Sequence, residues 1–593
     1  MSSKGGWRTK EELARRVKIA RGELPAPVVV KGAQFLDVLS GKFVTGDVAW
    51  DGDTIVGTCE AYGGVEVVDG KGAYLVPGFI DAHVHIESSL LTPSRFEQAV
   101  LPEGTTTVIW DPHEIANVRG QDGIRWALAA SEGLQLDVRV MIPSCVPSTS
   151  PHLGLETSGA ELGPEHIVEF KDHPRVLGLA EMMNYPGLLH GDPEVHAKLD
   201  MFKDTIRDGH CPGLSGKDLN AYGVAGISTC HESTTRAEAE EKLTKGIHVW
   251  IREGSCAKDA DELLPMVNAY TSSVLGLCSD DRNPLDIAEE GHINAIVNKG
   301  LKMGLPPESV FRAASFAPAR VYGLSDRAVI GPGYKSDLVL VEQVDGKTWQ
   351  SGIKVRCVWK NGARVTAEML AAVPHVPVKL EGGRNLNVRK VTSNDFAVPG
   401  VNSSTRQIKV QVIGVRPRQI LTDRLETSLV NVGGQVLADL AQDVLKIAVF
   451  ERHRGSGRKT IGFVKGMNIK SGAIATSVNH DSHNCIVVGS SDQAMADALN
   501  ALVDMDGGIS VVGDNGERGR LALPIGGLMT DLPPADVAAS LKTLKRLARG
   551  IGCTLDEPFL QLSFLALPVI PHLKITDRGL VDVDAFKIIP IVG

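Results

Sequence analysis

The sequence predicts an α/β fold in which a (β/α)8 barrel of the TIM type is combined with a small β domain and a C-terminal α/β domain. Eight short apolar runs alternate with helix-length segments between residues 75 and 323. This alternation is typical of parallel strands joined by crossover helices, and eight repeats of it are typical of a closed barrel. Short β-rich runs flank this region, and a further mixture of strands and helices occupies residues 385–593.

Length and composition indicate a soluble, multidomain protein. A chain of 593 residues is too long for a single hydrophobic core. The net charge of −9 and the lack of a basic run argue against a nucleic-acid partner. Nine scattered cysteines without a C-x-x-C motif indicate reduced thiols and a cytoplasmic location. The N-terminus lacks the apolar core of a signal peptide, and we expect no membrane partner.

Residues 1–74 are predicted to contain an N-terminal helix and the first part of the small β domain. The first 23 residues are charged throughout and helix-like, and residues 27–60 alternate β-rich runs with turn residues. Residues 324–384 return to short strands, in RAVIGPGYKSDLVLVE and SGIKVRCVWKNGARV. The simplest arrangement pairs the strands of both flanks in one sheet.

Residues 75–323 are predicted to form the barrel, and residues 385–593 a separate domain. The barrel strands are expected in LVPGFIDAHVH, TTTVIWD, DVRVMIPSCV, VLGLAEMMN, a short run ending at GHC, GISTCHE, HVWIREGS and SVLGLCSDD. In the last region, strands such as AIATSV, CIVVGSS and GISVVG accompany helices such as DQAMADALNALVDM and ADVAASLKTLKRLARG. This mixture predicts an α/β domain.

Polar side chains gather at the C-terminal ends of the predicted barrel strands, where barrel enzymes place their chemistry. In the first strand, His83 and His85 are two positions apart and therefore point to the same side. Each such residue alone is compatible with a loop cap or a solvated strand end, but their convergence at most of the eight ends favours an active site. The later strand ends carry Asp111, His113, Glu181, His210, His231, Glu232, Asp280 and Asp281.

Imidazoles and carboxylates without cysteine suit Mn²⁺, Fe²⁺ or Zn²⁺. One carboxylate can bridge two such ions about 4 Å apart, and the pair of ions acidifies a shared water into hydroxide near neutral pH. A further aspartate beside that hydroxide can accept its proton and pass it to a leaving group. The strand ends therefore predict metal-assisted hydrolysis.

The motif PGFIDAHVH, the later histidines, Asp280, and the closing segments APARVYGL and IGPGYKSDLV resemble the amidohydrolase superfamily. Within it, HIESS, TTTVIWDPHE, IPSCVPS, GLAEMMN, CSDDRNP and SVNHDSHN resemble the adenine deaminase family along nearly the whole chain. The resemblance implies hydrolysis of adenine to hypoxanthine and ammonia, a step of purine metabolism. It also implies two divalent metal ions, with Mn²⁺ or Fe²⁺ expected and Zn²⁺ also compatible.

The expected site combines this resemblance with the strand-end pattern. The metal-bound hydroxide would attack C6 of adenine, Asp280 would take its proton, and Glu87 or Glu232 would protonate the neighbouring ring nitrogen. By the resemblance, Glu181 takes the place of the carbamylated lysine that bridges the metal ions in many amidohydrolases, so Glu181 would bridge the ions here. Glu87 takes the place of an arginine of dihydroorotases. The expected metal ligands are His83, His85, Glu181, His210, His231 and Asp280.

Some positions keep a second interpretation. Asp281 could equally cap a helix or form an ion pair. His113 could lie behind the metal ligands and contact them without binding a metal ion. The C-terminal loop with His480, Asp481 and His483 has more histidine than a turn requires. We expect it to cover the barrel mouth of its own or a neighbouring subunit, where it would shield the purine or add a metal ligand; the alternative is a surface loop. His190, His196 and His292 are expected at the surface.

Two other functions remain open at this point. The first is another amidohydrolase that opens a cyclic amide such as a hydantoin or a dihydropyrimidine; Glu87, Glu181 and the long C-terminal region argue against it. The second is a metal-free scaffold of the same fold, against which the complete set of candidate ligands argues. The expected partner is a small-molecule substrate, adenine, and homo-oligomerisation is left open.

Overall fold

The computed structural model describes residues 6–372, 380, 382–400 and 406–592. It begins with the helix Lys10–Ala20, whose first backbone N–H groups include that of Glu12, which donates to the Thr9 hydroxyl. This side-chain cap satisfies a donor that has no partner inside the helix. The helix lies within the 23 residues expected to be helical, and residues 1–5 of that segment lie outside the described residues.

The chain segments on either side of the parallel region meet in small, mostly antiparallel sheets. Tyr74–Pro77 pairs antiparallel with Leu338–Gln343, and Val76 lies opposite Val339. This pairing joins the two flanks of the parallel region. Residues 373–379 and 381, near the predicted junction at residue 384, lie outside the described residues. The other strands of these sheets are Ala26–Lys31, Gln34–Asp37, Lys42–Thr45, Val48–Asp51, Thr54–Thr58, Gly64–Asp69, Ile353–Lys360 and Ala363–Arg364.

Between these flanks the chain forms a curled parallel sheet. Among the described residues its strands, named the first to the eighth parallel strand in chain order, are Phe79–Val84, Thr105–Trp110, Asp137–Ile142, Val176–Met182, Ile206–Gly209, Thr229–Cys230, His248–Arg252 and Leu275–Cys278. The first five strands pair in sequence order, and so do the last three. The first and last strands also meet, because the Asp280 N–H donates to the His83 carbonyl at 3.0 Å.

The parallel strands are apolar and buried, and helices connect them. Every residue of the first and second strands is buried, which fits a parallel sheet covered on both faces. The α-helices of this region are Pro93–Val100, His113–Arg119, Gln121–Ala130, Pro164–Ile167, Tyr185–His190, Pro193–Met201, Gly216–Val224, Arg236–Thr244, Ala260–Leu263, Pro284–Glu290, Ile293–Lys302, Pro307–Ala313 and Phe316–Val321, and Ala367–Ala372 follows the second flank.

The C-terminal region is built on a second large sheet, mostly antiparallel, with helices packed against it. Apolar side chains of this sheet share one core with those of the parallel region, for example Ile474 and Val84. Its strands are Gln407–Val415, Thr422–Val432, Gln435–Val436, Val444–Phe450, Lys459–Lys465, Ala473–Thr476, Cys485–Gly489, Gly508–Val512 and Arg518–Ala522, followed by the small sheet Leu573–Thr576, Gly579–Asp582 and Lys587–Ile589. Its α-helices are Asp492–Met505, Pro534–Gly550 and Pro558–Ser563.

None of the described helices combines the length and the apolar character that a membrane span requires.

One surface prediction is wrong. His292 is fully buried, with Nδ1 at 2.9 Å from the Thr105 hydroxyl and Nε2 at 3.2 Å from a carboxylate oxygen of Asp81. These partners come from the first two parallel strands, far from His292 in sequence, so no neighbouring residue signals the burial. His190 and His196 are exposed as predicted.

Candidate active site

The C-terminal ends of the parallel strands surround one cavity. Ionisable side chains dominate its lining, and a smaller apolar part comes mainly from the C-terminal region. The ionisable lining residues are His85, His113, Glu114, Glu181, His210, His231, Glu232, Arg252, Asp280, Asp281, His480 and Asp481; the apolar ones are Met183, Ile420, Phe564 and Leu567.

His83 and His85 lie side by side at the end of the first parallel strand. Their Nε2 atoms are 3.1 Å apart and both side chains are buried. The Nδ1 of His85 lies 3.0 Å from the backbone carbonyl of Asp111. A proton on Nδ1 therefore has an acceptor, which leaves the Nε2 lone pair free to face the cavity.

Glu181 lies at the centre of the histidines, and its two oxygens face different sides. Oε1 is 3.3 Å from His85 Nε2 and 3.6 Å from His83 Nε2. Oε2 is 2.6 Å from His210 Nδ1 and 3.3 Å from His231 Nε2. One carboxylate thus contacts one imidazole pair with each of its oxygens, which is the arrangement that a bridging ligand requires.

Asp280 closes the site from the end of the eighth strand. Its Oδ1 is 3.2 Å from His85 Nε2 and 3.5 Å from His83 Nε2, and its Oδ2 accepts a hydrogen bond from Arg252 Nη1 at 3.2 Å. Its φ of +54° is unusual for a residue with a side chain. The strained backbone at a polar strand end is a feature that often accompanies functional residues.

Arg252, at the end of the seventh strand, was not predicted from the sequence. Its buried guanidinium donates hydrogen bonds to Glu232 and Asp280 and, through Nε, to Asp259 at 3.0 Å. The rule that located the other residues, a charged group at the end of a barrel strand, also applies to HVWIREGS and would have found it. Arg252 fixes the separation of two carboxylates that line the cavity.

The electrostatic environment shifts the pKa values of the site's carboxylates in different directions. Burial alone would raise the pKa of Glu181, but the imidazoles of His210 and His231 outweigh it and hold this pKa well below the usual range. Burial likewise opposes ionisation of Asp280, but hydrogen bonds from His83 and His85 outweigh it and hold the pKa of Asp280 well below its usual value. Burial and the adjacent Asp280 charge raise the pKa of Asp281 to about 6.

His113 and Glu114 connect the parallel strands to the C-terminal region. His113 Nδ1 is 2.9 Å from Asp111 Oδ2 and 3.4 Å from Glu181 Oε1, so His113 lies directly beside the candidate ligands. Glu114, which was not predicted, points to the C-terminal loop. No signal beyond its place after His113, inside the motif DPHE, indicates this contact.

The C-terminal loop lies at the cavity of its own chain. It connects the paired strands Ala473–Thr476 and Cys485–Gly489, and its residues are buried. His480 Nδ1 is 2.5 Å from Glu114 Oε1, and His483 Nε2 is hydrogen-bonded to Glu114 Oε2. Asp481 Oδ2 is 3.8 Å from His113 Nε2.

Glu87 and Asp281 are both buried near the site, but in different positions. Glu87 accepts hydrogen bonds from Trp110 Nε1 at 2.8 Å and from the Ile115 N–H at 3.1 Å, and it does not line the cavity. Burial, followed by the charge of Glu114, raises its pKa to about 7. Asp281 lines the cavity and accepts a hydrogen bond from the Ser88 hydroxyl.

The donor atoms fit divalent metal ions. In several groups, the nitrogen and oxygen donors all lie within 4.8 Å of one another, including His83 with His85 and Asp280, and His83 with Glu181 and His231. His210 also carries a buried Nε2 without a hydrogen-bond partner. Buried imidazoles and carboxylates that converge in this way, without thiolates, are the ligand set of Mn²⁺, Fe²⁺ or Zn²⁺.

Known proteins resemble the chain over nearly its whole length. The amidohydrolase family matches residues 74–365, and the adenine deaminase C-terminal domain matches residues 419–587. The adenine deaminase of Sinorhizobium fredii is 47% identical over 579 residues, which cover 98% of this chain and 100% of that protein. The adenine deaminase of Methylobacterium sp. strain 4-46 is 47% identical over 580 residues, with the same coverage.

Among solved structures, a dihydropyrimidinase from Brevibacillus agri aligns with a TM-score of 0.45 at 13% sequence identity, covering 57% of this chain and 94% of that one. The sequence match and the strand-end site together define a hydrolase of the amidohydrolase class that acts on carbon–nitrogen bonds. The chain belongs to the adenine deaminase family. The resemblance stated from its motifs is thereby confirmed.

Proposed function

We propose that the protein hydrolyses adenine to hypoxanthine and ammonia at the ends of its parallel strands, with two divalent metal ions as cofactors. The relatives named adenine deaminase match nearly the full chain. The observation that carries the proposal for this site is the position of Glu181, whose two oxygens contact different imidazole pairs. A metal-free scaffold would have no need of this buried arrangement.

The proposed architecture is a closed (β/α)8 barrel spanning residues 75–323. Residues 1–74 and 324–384 would complete a small β domain, and residues 385–593 a C-terminal α/β domain. The backbone contact between Asp280 and His83 supports closure between the first and last strands.

The residues proposed to hold the ions are those whose donors converge on Glu181. When bound, the ions would lower the pKa of a water molecule so that hydroxide is available near neutral pH. Mn²⁺ or Fe²⁺ are the proposed ions, and the donor set also accommodates Zn²⁺. The proposed ligands are His83, His85, Glu181, His210, His231 and Asp280.

The protein side chains would move the protons. The oxygen of water adds to C6 of adenine, the amino nitrogen leaves as ammonia, and hypoxanthine retains the new carbon–oxygen bond. Asp280 is proposed to accept a proton from the attacking water, and Glu232 to transfer a proton at the ring nitrogen next to C6. Both carboxylates line the cavity and both are bonded by Arg252, which supports a shared task. The same role for Glu87 stays a prediction, and its position outside the lining favours Glu232.

The C-terminal loop is proposed to close the cavity against water. His480 and His483 both contact Glu114, so they connect the loop to the strand-end side chains. Asp481 and Asp281 line the same cavity and are proposed to contact the substrate or the water around it.

The test of the function is hydrolysis by purified protein that has been loaded with Mn²⁺. We expect ammonia and hypoxanthine in equal amounts from adenine, and loss of both after chelation. A hydantoin and a dihydropyrimidine are the comparison substrates. Ring opening of either one, without ammonia release from adenine, would replace this proposal with cyclic-amide hydrolysis. Protein that is metal-loaded but inactive on all three would overturn the proposed reaction.

The proposed role of Asp280 predicts a specific kinetic defect. Asp280→Asn removes the proton acceptor, so we expect turnover to fall by about 10²-fold or more while KM for adenine changes much less. Metal content is measured in the same preparation, and comparison is made at equal occupancy. Near-normal turnover in this variant would exclude the role.

A further inference from the structure

The apolar part of the cavity comes mainly from the C-terminal region. Ile420, Phe564 and Leu567 line it together with Met183 from the fourth parallel strand end. A flat heterocycle needs such surfaces for its faces, while polar groups bind its edge. The C-terminal region therefore supplies most of the surface on which a purine ring can rest.

These apolar residues belong to segments that are distant in sequence. Ile420 precedes the strand Thr422–Val432, whereas Phe564 follows the helix Pro558–Ser563. Both side chains are buried. The width of the apolar part of the cavity thus depends on how firmly two separate backbone segments are held together.

Lys574 connects these two segments directly. It lies in the strand Leu573–Thr576 and is fully buried. Its Nζ donates one hydrogen bond to the Ile420 carbonyl at 2.8 Å and another to the Phe564 carbonyl at 2.9 Å. A single amine thereby holds the backbone of two cavity-lining residues.

The buried Lys574 amine has no carboxylate partner within ion-pair distance among the described residues. Burial lowers its pKa to about 7. Lys446, another buried lysine of the C-terminal region, differs in this respect: it donates to the Phe396 carbonyl at 2.9 Å and also pairs with Asp492 at 2.7 Å. A buried amine without a counter-ion is unfavourable for stability, which suggests a functional reason for its presence.

The side chain of Phe564 extends the connection to the C-terminal loop. Its ring stacks on the His480 ring, with centroids 4.4 Å apart and an interplanar angle of 8°. His480 in turn contacts Glu114. A shift of the Phe564 backbone would therefore disturb both the apolar surface and the loop that covers the cavity.

We propose that Lys574 is a positioning residue of the substrate site, which holds the Ile420 and Phe564 backbones so that their side chains fit the faces of the purine. The proposal rests on the proposed adenine hydrolysis and adds a residue that acts through others. Lys574 itself lies behind the cavity, because Ile420 and Phe564 line the cavity and Lys574 does not.

The test is Lys574→Met in the full-length, metal-loaded protein, since methionine fills similar space without donating hydrogen bonds. We expect KM for adenine to rise about tenfold, as for the loss of fit in an apolar pocket, with turnover within about threefold of the parent and metal content unchanged. The matched control is Lys446→Met, which removes a buried lysine of the same region that does not reach the cavity. It is expected to lower the unfolding temperature and to leave KM unchanged.

An unchanged KM in Lys574→Met, or an equal rise in Lys446→Met, would overturn the proposal. If the methionine variant does not fold, Lys574→Gln is the second variant, because glutamine keeps two N–H donors. Its KM is expected to lie between the parent value and about ten times that value. A loss of turnover without a change in KM would overturn the proposal. Parent protein that binds adenine without deaminating it would count against the proposed reaction alone. In that case the dissociation constant of adenine, measured by calorimetry in parent and variants, tests the position of Lys574 with the same expected ratio.

Discussion

At the scale of single residues, the position of the Glu181 carboxylate leads directly to a prediction about metal content. Its oxygens contact His85 on one side and His231 on the other at the same distance of 3.3 Å. Side chains that approach one carboxylate this closely can also be fellow ligands of a metal ion.

Glu181→Gln is expected to lower metal content and turnover together, because an amide nitrogen cannot replace a carboxylate oxygen as a metal ligand. Elemental analysis and ammonia release measure the two effects. Glu97→Gln is the control: Glu97 is also buried, but it accepts from the Leu136 N–H, away from the cavity. Full metal occupancy in Glu181→Gln would contradict the bridging role.

Arg252→Lys is expected to reduce turnover by about 10²-fold. Lysine keeps the positive charge, but its single amine cannot reproduce the planar fork that bonds Glu232, Asp259 and Asp280 together. Steady-state kinetics of the metal-loaded variant measure the effect. Arg327→Lys provides the comparison, since Arg327 is buried and bonded to carboxylates outside the cavity. Equal turnover losses in both variants would show that the Arg252 effect is a general loss of stability.

Glu156 predicts a pH dependence of stability. Burial raises its pKa to about 7, above the ordinary value of 4.5, although its Oε1 accepts bonds from Ser148 and Thr149. A raised pKa in the folded state gives a stabilising contribution that is complete below pH 4.5 and is lost as the pH rises through about 7. Glu156→Gln, which does not titrate, should therefore become more stable relative to the parent at about pH 8 than at about pH 5.

Thermal unfolding at both pH values measures this difference. Glu161→Gln is the control on the same segment, because its side chain is 55% exposed. A stability difference between Glu156→Gln and the parent that does not change with pH would refute the prediction.

At the scale of elements, the hairpin of the C-terminal sheet is the contact that links this region to the site. The strands Ala473–Thr476 and Cys485–Gly489 hold the ends of the loop, and Thr476 lies opposite Ile486. The loop reaches Glu114, which belongs to the helix His113–Arg119 after the second parallel strand. The hairpin and this helix therefore position each other.

Alanine variants of His480 and His483 are expected to fold and to deaminate adenine more slowly. Each removes one partner of the buried Glu114, at a cost of about 1–3 kcal/mol, and loosens the cover of the cavity. Circular dichroism, metal analysis and ammonia release measure folding, occupancy and turnover. His190→Ala, at an exposed histidine, is the control. Parent-like turnover in both loop variants would assign the loop a purely structural role.

At the scale of the whole molecule, the parallel region and the C-terminal region share one apolar core and one cavity. The cavity collects ionisable groups that are buried on folding. Ions that bind only to the folded arrangement of these groups stabilise the whole chain by mass action.

Metal removal is therefore expected to lower the unfolding temperature of the parent protein, and added Mn²⁺ is expected to restore it. Ions at about 100 times their dissociation constant contribute about 2.7 kcal/mol per site. Calorimetric scans with and without chelator measure the shift, and Glu181→Gln should show a smaller one. Identical midpoints for loaded and chelated parent would contradict metal binding at this site.

Much of the fold and of the candidate site follows from local sequence. The apolar runs ending in His83, Glu181 and His231 predicted where parallel strands end, and the shared edge of such a sheet predicted that these side chains meet. The hairpin around His480 was equally visible, as two β-rich runs joined by a short loop. These features depend on the spacing of apolar residues and on the position of polar residues within one segment. Both can be read directly from the sequence.

Only the tertiary structure decided which groups face one another. The bond from Arg252 to Glu232, the contact of Glu114 with His483, the burial of His292 and the two carbonyls held by Lys574 all join segments that are separate in sequence. The hydrogen bonds that Glu87 accepts from Trp110 and Ile115 also come from elements outside its own segment, and its role toward the substrate stays a prediction. The physical reason is that strand periodicity is a local property, whereas a hydrogen-bond partner is fixed by the packing of distant elements.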